Sequence, residues 1–341
     1  MDLQIIWFFL WGLLWAMFFI TDGFDFGVGM LYPFITENES EKKDLIKSIG
    51  PLWNGSQVWL IAAGGITFAA FPDIYAVMFS SLYTVLMIVL FALILRGVAF
   101  EFREQSQNAA WRKTWDIAIF IGGSLPALLF GILFANLFAG LPINAKKIYT
   151  GSLLTLLNPY AILGGILFIL LFLQHGSLWL CIRTDNKLKI KAQNFASKIW
   201  YPLLITAVLF LIYTAFATNL YHNYIKTPAL FIILIAAVAG LLLVKPFIAK
   251  KHFFKAFISS ALTILSVTFF GVTGLYPDML ISNIDPSYAL TAFNSSSSPL
   301  TLKIMLIVVI IFIPLILLYQ GWAFNLFKNR LTKEDLGYHD F

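Results

Sequence analysis

A single cysteine, Cys181, stands among the 341 residues. That excludes an internal disulfide and any cysteine-based cluster or zinc site. At the end of an apolar run, Cys181 reads as a small packing residue. Histidine is almost as scarce, with four copies. Only His175, in Leu173-Gln174-His175-Gly176-Ser177, falls inside an apolar run, whereas His222, His252 and His339 sit in loops or the tail. Haem iron needs axial ligands, and one histidine in a hydrophobic helix does not make a ligand set. His175 therefore reads as a hydrogen-bonded packing or lining residue. Charged residues make up 12% of the chain, against about a quarter in soluble domains, which excludes an ordinary soluble fold. Residues 1–35 hold no Lys or Arg, so the start reads as a retained first span rather than a signal peptide. No phosphate loop, nucleophile elbow or metal-ligand spacing occurs, and the chain by itself does not read as a complete redox enzyme.

What is abundant is apolar: 60% of the residues are hydrophobic. Long apolar runs fall at about 4–33, 52–71, 75–97, 114–137, 159–181, 199–218, 228–248, 255–276 and 301–326. Each is long enough to cross a bilayer as a helix, which satisfies its own backbone in lipid. Nine spans fit the charge distribution. Lys42, Lys43 and Lys47; Arg96, Arg103, Arg112 and Lys113; Arg183 to Lys198; Lys245 to Lys255; and Lys328, Arg330 and Lys333 fall on one side. Only Lys146, Lys147, Lys226 and Lys303 fall on the other. The positive-inside rule then places the N-terminus outside and the C-terminus in the cytoplasm. The net charge of +6 sits in short loops and is not a nucleic-acid surface. The chain thus reads as one all-α membrane domain over residues 1–341. The longest loops, about 138–158 and 277–300, are too short for an independent fold, and the second, with Ser295 to Ser298, reads as a flexible polar loop on the outer side.

Against this background the segment Thr21-Asp22-Gly23-Phe24-Asp25-Phe26-Gly27-Val28-Gly29 stands out. A charge inside a span costs several kcal/mol even on lenient scales, at about 2.5–3.5 kcal/mol for an Asp. Asp22 and Asp25, three apart, share a helix face, and the glycines let a neighbouring helix come close. Counted from residue 4, Asp22 lies about 27 Å in, toward the cytoplasmic end. The second span enters from that side with Asn54, Ser56 and Gln57; the third leaves there with Arg96, then Glu101 and Arg103; Asp116 opens the fourth. Asp22, Asp25, Asn54, Gln57, Arg96, Glu101 and Asp116 are thus expected near one membrane face, with Arg96 as counter-ion of Asp22 or Asp25. Two readings stand: a polar inlet for protons or water, and a structural ion-pair network that fixes helix packing. Because Thr21, Asp25 and Gly29 share an i, i+4 face, Asp25→Asn is expected to harm assembly more than Asp22→Asn.

These motifs resemble those of subunit II of the cytochrome bd-type quinol oxidases. The similar blocks are TDGFDFGVGML (21–31), WNGSQVWLIAAGGITFAAFP (53–72), RGVAFEFR (96–103), WRKTWDIAIFIGG (111–123), LLNPYAILGG (156–165), PLILLYQGW (314–322) and LTKEDL (331–336). They run in family order from one end of the chain to the other. The resemblance implies a heterodimeric respiratory terminal oxidase of a prokaryotic inner or cytoplasmic membrane that oxidises quinol and reduces O2 to water. It implies two four-helix bundles plus a peripheral helix, and no haem ligated by this chain. Two haems b and one haem d belong to the partner, subunit I, which this chain packs against and stabilises. The resemblance also admits a small third subunit, and lipids or a structural quinone in a groove. Some members carry Asp at the position of Asn54, proposed to lie on a proton path; Asn does not ionise, so here it relays only by ordering water. Trp59 matches a position linked to an O2 route, with aromatic packing as the alternative. A rival reading, an ion-coupled transporter or channel using the Asp22/Asp25 cluster, has against it an off-centre cluster and no visible inverted repeat.

Overall fold

The structure, a computed structural model, describes residues 2–326. Lys328, Arg330, Lys333, His339 and the LTKEDL block lie outside the described residues. Almost everything else is helix: α1 (Leu3–Thr21), α2 (Gly23–Ile35), α3 (Glu39–Ile49), α4 (Trp53–Ala70), α5 (Pro72–Ser81), α6 (Tyr83–Phe102), α7 (Ala109–Ala139), α8 (Pro159–Arg183), α9 (Asn186–Ala217), α10 (Tyr221–Lys226), α11 (Phe231–Ala249), α12 (Phe253–Leu275) and α13 (Pro299–Leu326).

The helix ends follow local chemistry. Asn108 and Asn158 accept hydrogen bonds from the first amides of α7 and α8, relieving donors that a helix start leaves unpaired. Pro72 and Pro159 occupy first-turn positions, where a missing N–H costs nothing. Gly140, at φ +90°, ends α7, a left-handed conformation that glycine takes freely. The α1–α2 junction is not a break. The Asp22 N–H donates to the Phe18 carbonyl (2.8 Å) and Asp22 O accepts from Phe26 (2.9 Å), so residues 3–35 form one rod. Residues 72–102 are likewise continuous through Leu82.

Among the described residues eight helices are long and apolar enough to cross a membrane, and they overlap every expected run except 52–71. That run is α4, whose opening turns hold Asn54, Ser56 and Gln57 and so lower its hydropathy. The α1–α2 rod lies at the centre, against α4, α7, α8, α12 and α13. Its N-terminal half carries Trp15, Phe18 and Phe19, which meet Phe130, Phe134, Phe168 and Phe172 with ring centroids 5.1–6.1 Å apart, mostly edge to face. Aromatic pairs favour that geometry. Helix α13 rests on the outside, with only Leu302 and Gln320 buried.

The longest loops differ from expectation. Segment 277–300 is not a free polar loop: β1 (Asp278–Leu280) pairs antiparallel with β2 (Leu290–Thr291), and Leu141 donates to the Ile281 carbonyl at 2.9 Å. Ser297 gives its amide to Ala70 O (2.8 Å) and its hydroxyl to Ala69 O (2.7 Å). The last carbonyls of α4 need donors, and Ser297, in the segment expected to be flexible, supplies two.

Candidate functional site

Glycines set the approach distances around the acids. A Cβ at Gly27 would fall on the Phe172 carbonyl oxygen of α8, and one at Gly176 would lie 2.6 Å from the Gly27 and Val28 backbone. On the other side, a Cβ at Gly123 of α7 would sit 2.7 Å from the Phe26 carbonyl oxygen of the rod, and one at Gly122 would sit 2.5 Å from the Arg96 Cβ of α6. The rod is thereby clasped between α7 and α8, and Arg96 of α6 reaches inward. Its Nη2 donates to both Asp22 oxygens at 2.9 Å, in a pair 1% and 0% exposed. The guanidinium lies 4.4 Å above the Phe26 ring centre, a further attraction for a cation out of water. Gln57 of α4 stands beside Asp22, and the Ser56 hydroxyl ties α4 to the Thr21 carbonyl at 3.1 Å.

Asp25 is as deeply buried as Asp22, yet neither of its oxygens has a hydrogen-bond partner among the described residues. The same holds for Arg96 Nε and Nη1 and for Gln57 Nε2. Two acceptors and three donors thus stay unsatisfied within one cluster, where each buried unpaired group costs about 1–3 kcal/mol. Such clusters are the places where ordered water sits inside proteins.

The structure divides the seven expected residues. Asp22, Asp25, Gln57 and Arg96 come together. Asn54 and Glu101 do not: both are exposed, because each lies on the side of its helix turned away from the rod. Asp116 belongs to a second, outer network. There Tyr32 Oη (2.6 Å), Arg103 Nε (2.6 Å) and Lys42 Nζ (2.7 Å) converge on its carboxylate. Arg103, fully buried, also bonds Glu39 (2.9 Å) and Glu104 (2.6 Å). Arg96 serves Asp22 rather than Asp25 as counter-ion. Trp59 is 1% exposed and donates to Gln320 Oε1 of α13 at 2.9 Å; its ring packs inside this chain. Gln320 was not singled out in the sequence, although a lone amide in a long apolar run is the usual sign of a bond across helices.

His175 spends both nitrogens within the chain. Nε2 faces the Ile20 carbonyl (3.2 Å) and so carries the proton, leaving Nδ1 to accept from Ser260 Oγ (3.1 Å). The ring stacks on Phe257 at 4.2 Å. These donors do not fit an axial haem ligand. Among the described residues no group of three or more His, Cys, Asp or Glu is placed to hold a metal.

The outer network straps the amphipathic helix α3, which buries Glu41, Leu45, Ser48 and Ile49, against the membrane helices. Lys191 Nζ meets Glu41 at 2.9 Å. Partial burial acts to raise the Glu39 and Glu41 carboxyls. Hydrogen bonds from Arg103 and from Lys191 outweigh it and hold them below the ordinary 4.5. A carboxyl lowered in the folded state contributes stability that is present above its unfolded value and lost as pH falls through the folded one. Amide exchange across residues 39–49 should therefore quicken as the pH drops below 4.5, ahead of exchange in the buried spans. Unchanged protection there would show that the strap holds by packing alone.

These features define a multi-pass helical membrane protein that keeps an ion pair and an unbonded carboxylate inside its bundle. The family model described as "Cytochrome bd terminal oxidase subunit II" matches residues 3–327. The chain belongs to that family, the second subunits of an oxidoreductase complex. It is similar to "Cytochrome bd ubiquinol oxidase subunit 2" of Bacillus subtilis, 36% identical over 341 residues, with 99% of each chain covered. "Cytochrome bd-I ubiquinol oxidase subunit 2" of Escherichia coli is 33% identical, covering 98% of this chain and 96% of its own. A solved structure, "The structure of bd oxidase from Geobacillus thermodenitrificans", shares the fold with TM-score 0.76 at 19% identity, covering 96% of this chain and 99% of that one. The transporter reading finds no support in these relatives.

Proposed function

We propose that this chain is the haem-free helper of a cytoplasmic-membrane oxidase that oxidises quinol and reduces O2 to water. The haems, two of b type and one of d type, reside in subunit I. Nine spans, with α4 as the second, then form two four-helix bundles plus peripheral α13, N-terminus outside. The exposed residues Asn54, Val58, Ile61, Gly65 and Phe68 recur on α4 at spacings of four and three, the period of a seam that takes a second helix. A polar Asn54 and an open glycine suit a protein neighbour better than lipid, and we assign this face to subunit I.

Within the polar cluster we assign two roles. The Asp22–Arg96 pair locks α6 to the rod, and Asp25 with Gln57 lines a water-bearing inlet from the cytoplasmic face. The observation that carries this reading is Asp25 itself: a carboxylate with two unbonded oxygens beside three unbonded donors. Asp25→Asn keeps the shape and removes the ionisable group. The assembled oxidase should retain its haem spectrum while turnover falls roughly tenfold, and Gln57→Leu should act in the same direction. Loss of haem with Asp25→Asn would make the cluster structural throughout and overturn the inlet.

A further inference from the structure

From Asn186 to Pro277 the chain carries nine lysines and no Asp, Glu or Arg. Eight of the nine lie in the first turns of α9 or around the α11–α12 turn, and Lys226 alone lies at the other end. The half of the bundle built on α3, α6 and α7 is different, because its cations are matched. There Lys42, Lys43 and Arg103 meet Asp116, Glu104 and Glu39 at 2.7–3.3 Å. In the acid-free half, Lys191 borrows Glu37 and Glu41 from the neighbouring segment at 3.0 and 2.9 Å. Lys198, Lys250, Lys251 and Lys255 are exposed and have no ion pair among the described residues. Membrane orientation does not require this imbalance, since acids contribute little to it.

The unmatched lysines surround one seam. Lys245 of α11 donates to Ser197 O and Oγ of α9 at 2.7 and 2.9 Å, and its Nζ lies 4.2 Å from the Tyr201 ring centre. Beneath it Ala196, Val244, Ile248 and Ala256 pack into one small core, which joins the ends of α9, α11 and α12. Lys251 sits at φ +58°, with its amide on Ile248 O and the next amide on Phe247 O. A helix end of that kind usually takes glycine; here it carries a cation. About one turn further along each helix the surface is apolar and exposed, at Ile205, Leu242 and Ile258, with exposed Tyr201 at the border. We propose that this edge binds an anionic phospholipid, with its phosphate among Lys198, Lys250, Lys251 and Lys255 and its acyl chains along the apolar wall. A soluble anion would use only the lysines, whereas a lipid uses both parts, and basic sites between membrane helices take such headgroups. The orientation proposed above makes this the cytoplasmic leaflet; the binding itself does not depend on it.

The test uses the purified two-subunit complex in nanodiscs. Spin-labelled phosphatidylglycerol should associate more tightly than spin-labelled phosphatidylcholine by roughly fivefold or more, the factor that one lysine contributes near an anionic headgroup. Raising the salt should shrink the difference. Replacing Lys198, Lys250, Lys251 and Lys255 together by Gln should bring phosphatidylglycerol down to the phosphatidylcholine level, with the haem spectrum and recovery of the partner subunit unchanged. Replacing the same four by Arg should keep the preference, which separates charge from damage to the fold. Should the Gln set not assemble, Lys198→Gln with Lys251→Gln should lower the preference part of the way. Equal binding of the two lipids by the native complex would overturn the proposal, as would a preference that survives the Gln variants. Displacement of the label by millimolar inorganic phosphate would put a soluble anion there and overturn it too. Should the complex consume no O2 with any quinol, the oxidase reading fails, and lipid association still reports on this edge.

Discussion

Arg96→Met should leave membranes with little or no assembled oxidase. The substitution strands Asp22 in the interior, 0% exposed, without the guanidinium that donates to both of its oxygens at 2.9 Å. Breaking one side of a buried pair costs about 3–5 kcal/mol, a large part of the roughly 5–15 kcal/mol that holds a typical protein folded. Asp25 lies beside the same guanidinium, so the loss leaves two carboxylates facing each other unshielded. The measurement is haem absorbance of membranes together with recovery of the partner subunit on this chain. A control separates charge from shape. Arg96→Met combined with Asp22→Leu removes both members of the pair, and well-packed apolar replacements are often neutral. The double variant should therefore recover assembly relative to the single one, a coupling that only a direct pair produces. Equal loss in both would mean that Arg96 acts through its contacts with Phe26 and Gly122 rather than its charge.

The second large effect falls on Gly27. An added methyl there has nowhere to go, because it meets the Phe172 carbonyl oxygen, a backbone atom held in α8. Overpacking a tight core typically costs about 1–3 kcal/mol. Gly27→Ala should reach the upper end, since backbone cannot rotate out of the way as a side chain can. Gly176→Ala meets the same seam from the other side, and the two should not add, being neighbours across one contact. Gly321, with nothing within 4 Å of an added Cβ, is the comparison: Gly321→Ala should leave this chain's folding intact. Thermal unfolding of the purified complex would rank the three. Gly27→Ala matching wild type would show that α2 and α8 are less tightly joined than the geometry gives.

The sequence was most informative where lipid dictates the outcome. The apolar runs overlap each of the eight described helices long and apolar enough to cross a membrane, but 75–97 answers to Tyr83–Gln105 and 199–218 to Lys187–Ala217. α4 was read from its second half; its amide-bearing start is why it misses the hydropathy of the others. The inner cluster was legible in part, because buried charge in a span is too expensive to be incidental. Depth along the membrane could be counted, but rotation of each helix about its axis could not. Asn54 and Glu101 were therefore grouped with the acids although their helices turn them out to the surface. Loop chemistry was harder still. Nothing local in Ser295 to Ser298 says that Ser297 will complete α4, more than two hundred residues earlier, because such caps arise only once distant elements have met. The outer network around Arg103 was overlooked for a related reason: α3 reads as an ordinary charged loop until its acids find their partners.

One bond joins the two ends of the polypeptide. The indole N–H of Trp7 donates to the Leu302 carbonyl at 3.0 Å, across 295 positions, and the Trp59–Gln320 bond holds the other end of the same helix. A ribosome delivers the 295 positions from Trp7 to Leu302 in order, so this bond cannot form before all of them have been made. Docking of α13 on the rod is therefore a late step of biogenesis, and a product cut short before Leu302 leaves the Trp7 indole N–H without this acceptor.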